Sequence, residues 1–579
     1  MVANIKSKAQ QYGFVIFLFL FSLALRLFLL DRFPIGMTHD ELDYAMNAKS
    51  LYLTRENMPL TSPALFDFGN RDVDAVTGEL PSFIIAPFIG PLDLNQFNVR
   101  YIYAIIGSFL VVVVYLLTER LFGKSLLSRM AGILMAVNPW SFHFSRTAFE
   151  HTLAAFFYLA GTYVFISTDR WRQFAALPLF VGGFLSYLGA KPLFAPLIII
   201  LFVYKFMQKI NYRKPLIIFA VIALSIFLGY YATLKLQPIG IRMGELVIFN
   251  PRFASGIVDL ERKQAIPNLG LEFFSNKAVV LGKRVVNVYL GAFSTEFLFT
   301  RGEARGAYSF WQHGMFYYLD FPLIILGIIA LYLLNKKAFW LMVFLLASSP
   351  FASSLDILDE SYAVRSFFMF PFLVIFAAAG MWKIYSDFGK KIFLFVSFIY
   401  FLLVINFLNL YFYRYPVYSA EGFFFSEKIL SSYLSRVNAL DQVRQINVYV
   451  RAPKIIFEEY LFHQNLYNTE EAVRLVNEKL KKRNFSDRKI VFTNDCPKDT
   501  RAVEGEISIY DRKLDCAGKK DRDLSILSLA DAGEIFLLRN DVLCKNQEIP
   551  RYYRLLDSQK LKVNQLSNFE FCENWIARQ

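Results

Sequence analysis

The feature that most restricts this chain is a series of apolar runs of bilayer length, separated by short basic segments. Phe14 to Leu30 comes first, interrupted by Ser22 and Arg26. Further runs lie near 99–118, 126–141, 150–167, 172–189, 192–207, 215–233, 317–334, 338–352, 365–384 and 391–412. Crossing about 30 Å of hydrocarbon takes roughly 20 helical residues, and backbone polar groups in lipid must be bonded within the segment. The runs therefore predict an α-helical polytopic membrane protein with about eleven transmembrane helices.

Composition agrees. Only 19% of the 579 residues are charged, against 55% hydrophobic and 17% aromatic, whereas a soluble protein carries about 25% charged residues. Disorder, collagen, coiled coil and a secreted miniprotein are excluded by the same figures.

The net charge of +14 reads as topology, since no nucleic-acid signature accompanies it. No small-residue cleavage site follows the first run (Asp31-Arg32-Phe33-Pro34), which predicts an uncleaved signal anchor with a cytoplasmic N-terminus. That orientation puts Arg120/Lys124/Arg129, Arg170/Arg172, Lys205/Lys209/Arg213/Lys214, Lys336/Lys337 and Lys383/Lys390/Lys391 on the cytoplasmic side of a plasma membrane. Segments 31–98, 141–150, 234–316 and 353–364 then lie outside. The plan is a transmembrane domain over 1–413 and an extracytoplasmic C-terminal domain over 414–579.

All four cysteines, Cys496, Cys516, Cys544 and Cys572, fall in that last segment. An even number in an exported domain points to two disulfides, with three pairings open. Short β-rich runs (446–450, 490–493, 507–510, 535–538) and a helical stretch over 471–482, opened by Asn468, predict a small α/β domain that packs over or shapes an external site.

The candidate chemistry lies in the first external loop, Met37-Thr38-His39-Asp40-Glu41-Leu42-Asp43-Tyr44. A helix starting near Thr38 puts Asp40, Asp43, Tyr44 and Asn47 on one face. Carboxylates at the membrane surface suit a general base for a substrate partly in lipid; they also suit a helix N-terminus with no catalytic role.

Asp40-Glu41-Leu42-Asp43-Tyr44-Ala45 resembles the Asp-Glu loop of the GT-C superfamily of membrane glycosyltransferases, in particular the bacterial branch of the dolichyl-phosphate-mannose protein mannosyltransferases. Weaker matches follow at Glu79-Leu80-Pro81, Asn98-Val99-Arg100, Ser145-Arg146 with Glu150, Gly189-Ala190-Lys191-Pro192, Arg305 with His313-Gly314, and Glu360 to Arg365, so that the likeness spans about 13 to 385. The chain departs from the pattern at Leu80, Glu150 and Tyr362, where Pro, Asp and His are common.

The resemblance implies transfer of a sugar from a polyprenyl-phosphate donor to an extracytoplasmic protein, lipid or glycan. It makes Asp40 the candidate base and Glu41 its orienting neighbour. Asp43, Tyr44, Arg146, Lys191, Arg305, His313 and Arg365 become substrate-binding candidates, the cations facing the departing phosphate. Such a donor carries its own leaving group, so no metal or other cofactor is expected, and the histidines show no metal-ligand spacing. Membrane lipid is the other expected partner, and nucleic acid is not one. The rival reading is a polytopic transporter or flippase of a lipid-linked or glycan substrate, although no paired inverted repeats are visible. Gly302, Gly306 and Gly314 would allow a mobile segment over a bound substrate and fit an ordinary connector equally well.

Overall fold

A computed structural model describes residues 2–61, 73–75, 78–208, 213–233, 251–267, 270–304, 306–355, 362–497, 503–517, 523–545 and 561–578. Among these, six helical segments are long and apolar enough to cross a membrane: Gln10–Leu27, Gln96–Phe122, Leu188–Phe206, Arg213–Ala232, Lys336–Leu355 and Met369–Tyr418. Ser125–Val137 and Asp320–Leu334 are shorter apolar helices. The runs at 150–167 and 172–189 fold as Glu150–Ser167 and, after a 3-10 turn over Arg170–Ala176, as Leu177–Ser186.

The last two expected spans share one helical segment, Met369–Asn409. Its 41 residues would reach about 60 Å if continuous, twice the hydrocarbon thickness. Gly389 breaks it with φ 79° and ψ 179°, a conformation essentially confined to glycine. Hydrophobicity cannot hold helices together in lipid, and close backbone approach replaces it. A Cβ on Gly327 would run into the Phe376 carbonyl, and one on Gly380 into that of Leu323, so these two glycines let Asp320–Leu334 lie against Met369–Asn409.

The C-terminal region forms a seven-stranded sheet. Its strands are β1 Gln445–Tyr449, β2 Ser486–Asp487, β3 Ile490–Thr493, β4 Glu506–Asp511, β5 Leu524–Leu527, β6 Glu534–Arg539 and β7 Ile576–Arg578, in the spatial order β2-β3-β1-β4-β6-β5-β7. β1 runs parallel to both β3 and β4. A parallel neighbour requires a crossover, and the first is made by helices Pro453–His463 and Glu470–Lys481. Thr469, not Asn468, caps the second helix; the Asn468 Oδ1 instead accepts from the Leu94 N–H of the first loop at 2.8 Å.

Cys496 is bonded to Cys516 and Cys544 to Cys572. These close loops of 20 and 28 residues, each contributing about 3 kcal/mol in the loop-entropy description. One hydrophobic core joins the helices to the sheet, from Leu18 to Ile576.

Candidate functional site

The helix His39–Thr54 organises the site. Thr38 caps it reciprocally: the Glu41 N–H donates to Thr38 Oγ1 at 3.3 Å and the Thr38 N–H donates to Glu41 Oε2 at 2.9 Å. Arg100 holds the same carboxylate with a fork, Nε to Oε1 at 2.8 Å and Nη2 to Oε2 at 2.9 Å, and the Ala148 N–H adds a bond of 2.8 Å. Arg100 spends its other donors on the Pro34 and Gly36 carbonyls. Both side chains of the ion pair are 0% exposed. Both Glu41 oxygens are engaged and dry, so Glu41 holds the loop beside Asp40 and has no oxygen open to an acceptor.

The expected helix forms, and Asp40, Asp43, Tyr44 and Asn47 lie within about 100° of one another around it, but they differ in burial. Asp43, Tyr44 and Asn47 are buried while Asp40, at the second position of the helix, is exposed. Asp43 is paired with Lys454 of the C-terminal domain at 3.0 Å, Tyr44 accepts from the Gly78 N–H at 2.8 Å, and Asn47 accepts from the Met58 N–H at 2.8 Å. These three fasten the helix, and Asp40 is what the arrangement leaves facing outward. Burial, and after it the charge of Glu150, pushes the Tyr44 phenol well above its ordinary range, so it stays neutral.

Ionisable groups gather around Asp40. Tyr187 lies within electrostatic reach of Arg365, Glu150, Asp40 and Glu303, and Tyr44 within reach of Glu150 and Asp40. Arg365 ends the short helix Tyr362–Arg365, which is fixed through Ala363: its carbonyl accepts from Trp140 Nε1 at 2.8 Å, and its N–H donates to Glu303. Below the same region the Tyr103 hydroxyl is buried with no hydrogen-bond partner among the described residues.

Lys191 heads the helix Lys191–Phe206 and is buried. Its Nζ bonds Glu79 at 2.6 Å and the Tyr230 hydroxyl, and sits 4.3 Å from the centre of the Tyr230 ring. A compact cation at the end of a membrane helix is thus already neutralised by a carboxylate of the first loop.

Two of the proposed cationic and imidazole contacts have other work. Arg146 is fully buried and donates to the Arg26, Phe28 and Phe33 carbonyls at 2.7, 2.7 and 3.0 Å, while its guanidinium lies over Phe142 and Phe412. It closes the C-terminal end of the first helix, whose last carbonyls have no intrahelical partner, and is not open to a phosphate. His313 bonds the neighbouring Gly314 carbonyl at 2.7 Å and packs against Phe407, a core histidine. Arg305 lies outside the described residues.

The glycines read as a mobile segment are close-packed: a Cβ on Gly314 would meet the backbone of Leu298 and Phe299, and one on Gly306 the backbone of Tyr418 and Ser419. Among the described residues no three His, Cys, Asp or Glu side chains converge as a ligand set. Glu303, Tyr187, Tyr230 and Lys454 were missed from sequence, because no local pattern links them to the first loop.

No family model and no curated protein matches this chain. Among solved structures it is similar to the apo oligosaccharyltransferase of Archaeoglobus fulgidus, at 14% identity and a TM-score of 0.45 over 81% of this chain and 68% of that one. It is also similar to ArnT from Cupriavidus metallidurans in the apo state, at 11% identity and a TM-score of 0.45. ArnT bound to undecaprenyl phosphate gives 10% and 0.43, and each ArnT match covers 91% of this chain and 98% of that one.

Proposed function

We propose that this chain is an integral-membrane glycosyltransferase of the cell envelope, moving one hexose or pentose from a polyprenyl-phosphate donor to an extracytoplasmic acceptor. The observation that carries the reading is Asp40: a solvent-facing carboxylate on a helix whose Glu41 and Asp43 side chains are buried, with Arg365 in the same electrostatic neighbourhood. A general base needs this combination of a fixed position and an open face.

In the proposed reaction the acceptor oxygen attacks the anomeric carbon, its proton passes to Asp40, and the bond from that carbon to the phosphate oxygen breaks. The lipid monophosphate departs with the bonding electrons. Arg365 offers a planar fork to its oxygens and Lys191 a point charge, the latter once donor phosphate replaces Glu79 as its partner. Arg305 remains a proposed third cation. A single monoester leaving group can be offset by such side chains without a divalent ion.

The test offers purified protein a panel of polyprenyl-phosphate-linked hexoses and pentoses with EDTA present and measures lipid phosphate release. We expect turnover with one donor, insensitive to chelation and lost on Arg365→Ala or Lys191→Ala. Asp40→Asn should reduce it by about 10²- to 10⁴-fold with thermal unfolding unchanged. Strict dependence on Mg²⁺ or Mn²⁺ would make Asp40 a metal ligand instead, and no turnover with any donor, given a competent acceptor, would return the transporter reading.

A further inference from the structure

The helix that carries Asp40 is held from behind by the C-terminal domain. His39, Asp43 and Ser50 each meet it: His39 Nδ1 lies 3.7 Å from Glu459, Asp43 is 3.0 Å from Lys454, and the Ser50 hydroxyl accepts from Asn477 Nδ2 at 2.9 Å. At about 100° per residue these three positions fall within roughly 40° of one another, so a single face meets the domain and is fastened to it at Asp43 and Ser50. Asp40 is one residue on from His39, about 100° around the helix from it and about 60° from Asp43, so it stands beside the fastened face, and it is exposed.

Lys454 is the centre of this contact. Its side chain is 6% exposed, and it joins Asp43 on one side to Glu458, 3.0 Å away, on the other. Burial disfavours its charge, but Glu458 and Asp43 outweigh that and raise it above the usual lysine value. Without the ammonium two buried carboxylates would face each other, and the strain would be relieved by the helix turning or retreating.

We infer that Lys454 is a positioning residue for the candidate base: by anchoring Asp43 it fixes the rotation of His39–Thr54, and with it the direction in which Asp40 points. The C-terminal domain is then part of the catalytic apparatus without touching the substrate. This rests on the reading of Asp40 as the base, and one arm of the test is independent of it.

The experiment compares the full-length protein with Lys454→Met, Lys454→Arg and Asp43→Asn in lipid nanodiscs. Asp43→Asn keeps the side-chain volume and leaves Lys454 paired with Glu458, so it retains the fold if Lys454→Met does not. Steady-state transfer from the donor found in the panel should show kcat lowered at least tenfold in Lys454→Met and Asp43→Asn, with KM for the donor within twofold and Lys454→Arg recovering most of the loss. Amide hydrogen exchange should rise at least tenfold across 39–54 in the two impaired variants while 96–122 is unchanged. A kcat within twofold of the parent, a Lys454→Arg no better than Lys454→Met, or exchange rising equally in both helices would overturn the inference. If the parent transfers no sugar, the functional reading fails while the exchange arm still decides whether Lys454 fixes the helix.

Discussion

Glu41 and Asp40 are neighbours in sequence with opposite fates. A single residue step, about 100° around the helix, leaves Asp40 exposed and turns Glu41 into a dry pocket with Arg100. Arg100→Met would leave a buried carboxylate without its cation, which typically costs 3–5 kcal/mol; the expected result is a large fall in melting temperature, with Glu41→Gln less severe. Equal melting of Arg100→Met and the parent would show that the pair carries no structural load.

A second residue-scale prediction concerns Glu459, whose carboxyl is fully buried and pushed well above its usual value, by burial first and then by Glu427 and Glu458. The unfolded carboxyl releases its proton near pH 4 while the folded one retains it. The folded state therefore binds more protons above that pH, and stability falls as pH rises, by up to about 1.4 kcal/mol per unit. Glu459→Gln should raise the melting temperature, more at pH 8 than at pH 5. A variant that melts lower at pH 8 would mean instead that Glu459 is ionised and paired with His463, 3.1 Å away. The acidic loop was legible as a motif, but its division of labour was not, because the partners Arg100 and Lys454 lie 59 and 411 residues away.

Among elements, the apolar runs marked helices, of which six among the described residues are long and apolar enough to cross a membrane against about eleven expected, and they marked the ends poorly, since hydrophobicity says little about what closes a helix. Arg146 is the example. The resemblance made it a phosphate partner, and the folded chain uses it to satisfy carbonyls at the end of Val2–Leu27. Arg146→Met should therefore destabilise the protein by about 3 kcal/mol or more, with several charge-assisted bonds lost in a place water does not reach. Thermal unfolding in detergent would check this, and a variant that unfolds normally but binds donor weakly would restore the phosphate role. The crossing of Asp320–Leu334 with Met369–Asn409 was invisible as well, because a glycine in an apolar run has no signature for the backbone it approaches. Gly380→Leu should separate those helices and lower the yield of folded protein, as read by monodisperse gel filtration.

For the molecule as a whole, the basic segments and the cysteines made the same forecast of sidedness from unrelated chemistry. Labelling of single cysteines in intact cells should find positions in 31–61 and in the sheet domain reactive from outside and positions 336–337 and 390–391 protected; the reverse pattern would move the proposed site to the other compartment. Four of the seven strands and the helix Glu470–Lys481 followed from the β-rich runs and the helical pattern, while the strand order and the attachment to the first loop did not, since Asn468 and Lys454 carry no mark of a distant partner. That attachment also sets an order of manufacture. Glu41 can meet Arg100 soon after the second apolar helix leaves the ribosome, but the opposite face of the same helix must wait for Lys454 and Asn477, which follow every membrane helix. On the proposed reading a nascent chain therefore completes its acidic loop long before the wall behind it exists, and activity would arrive only with the C-terminal domain. If the proposed function holds, a polypeptide cut short inside that domain would keep its apolar helices and lose its sugar transfer.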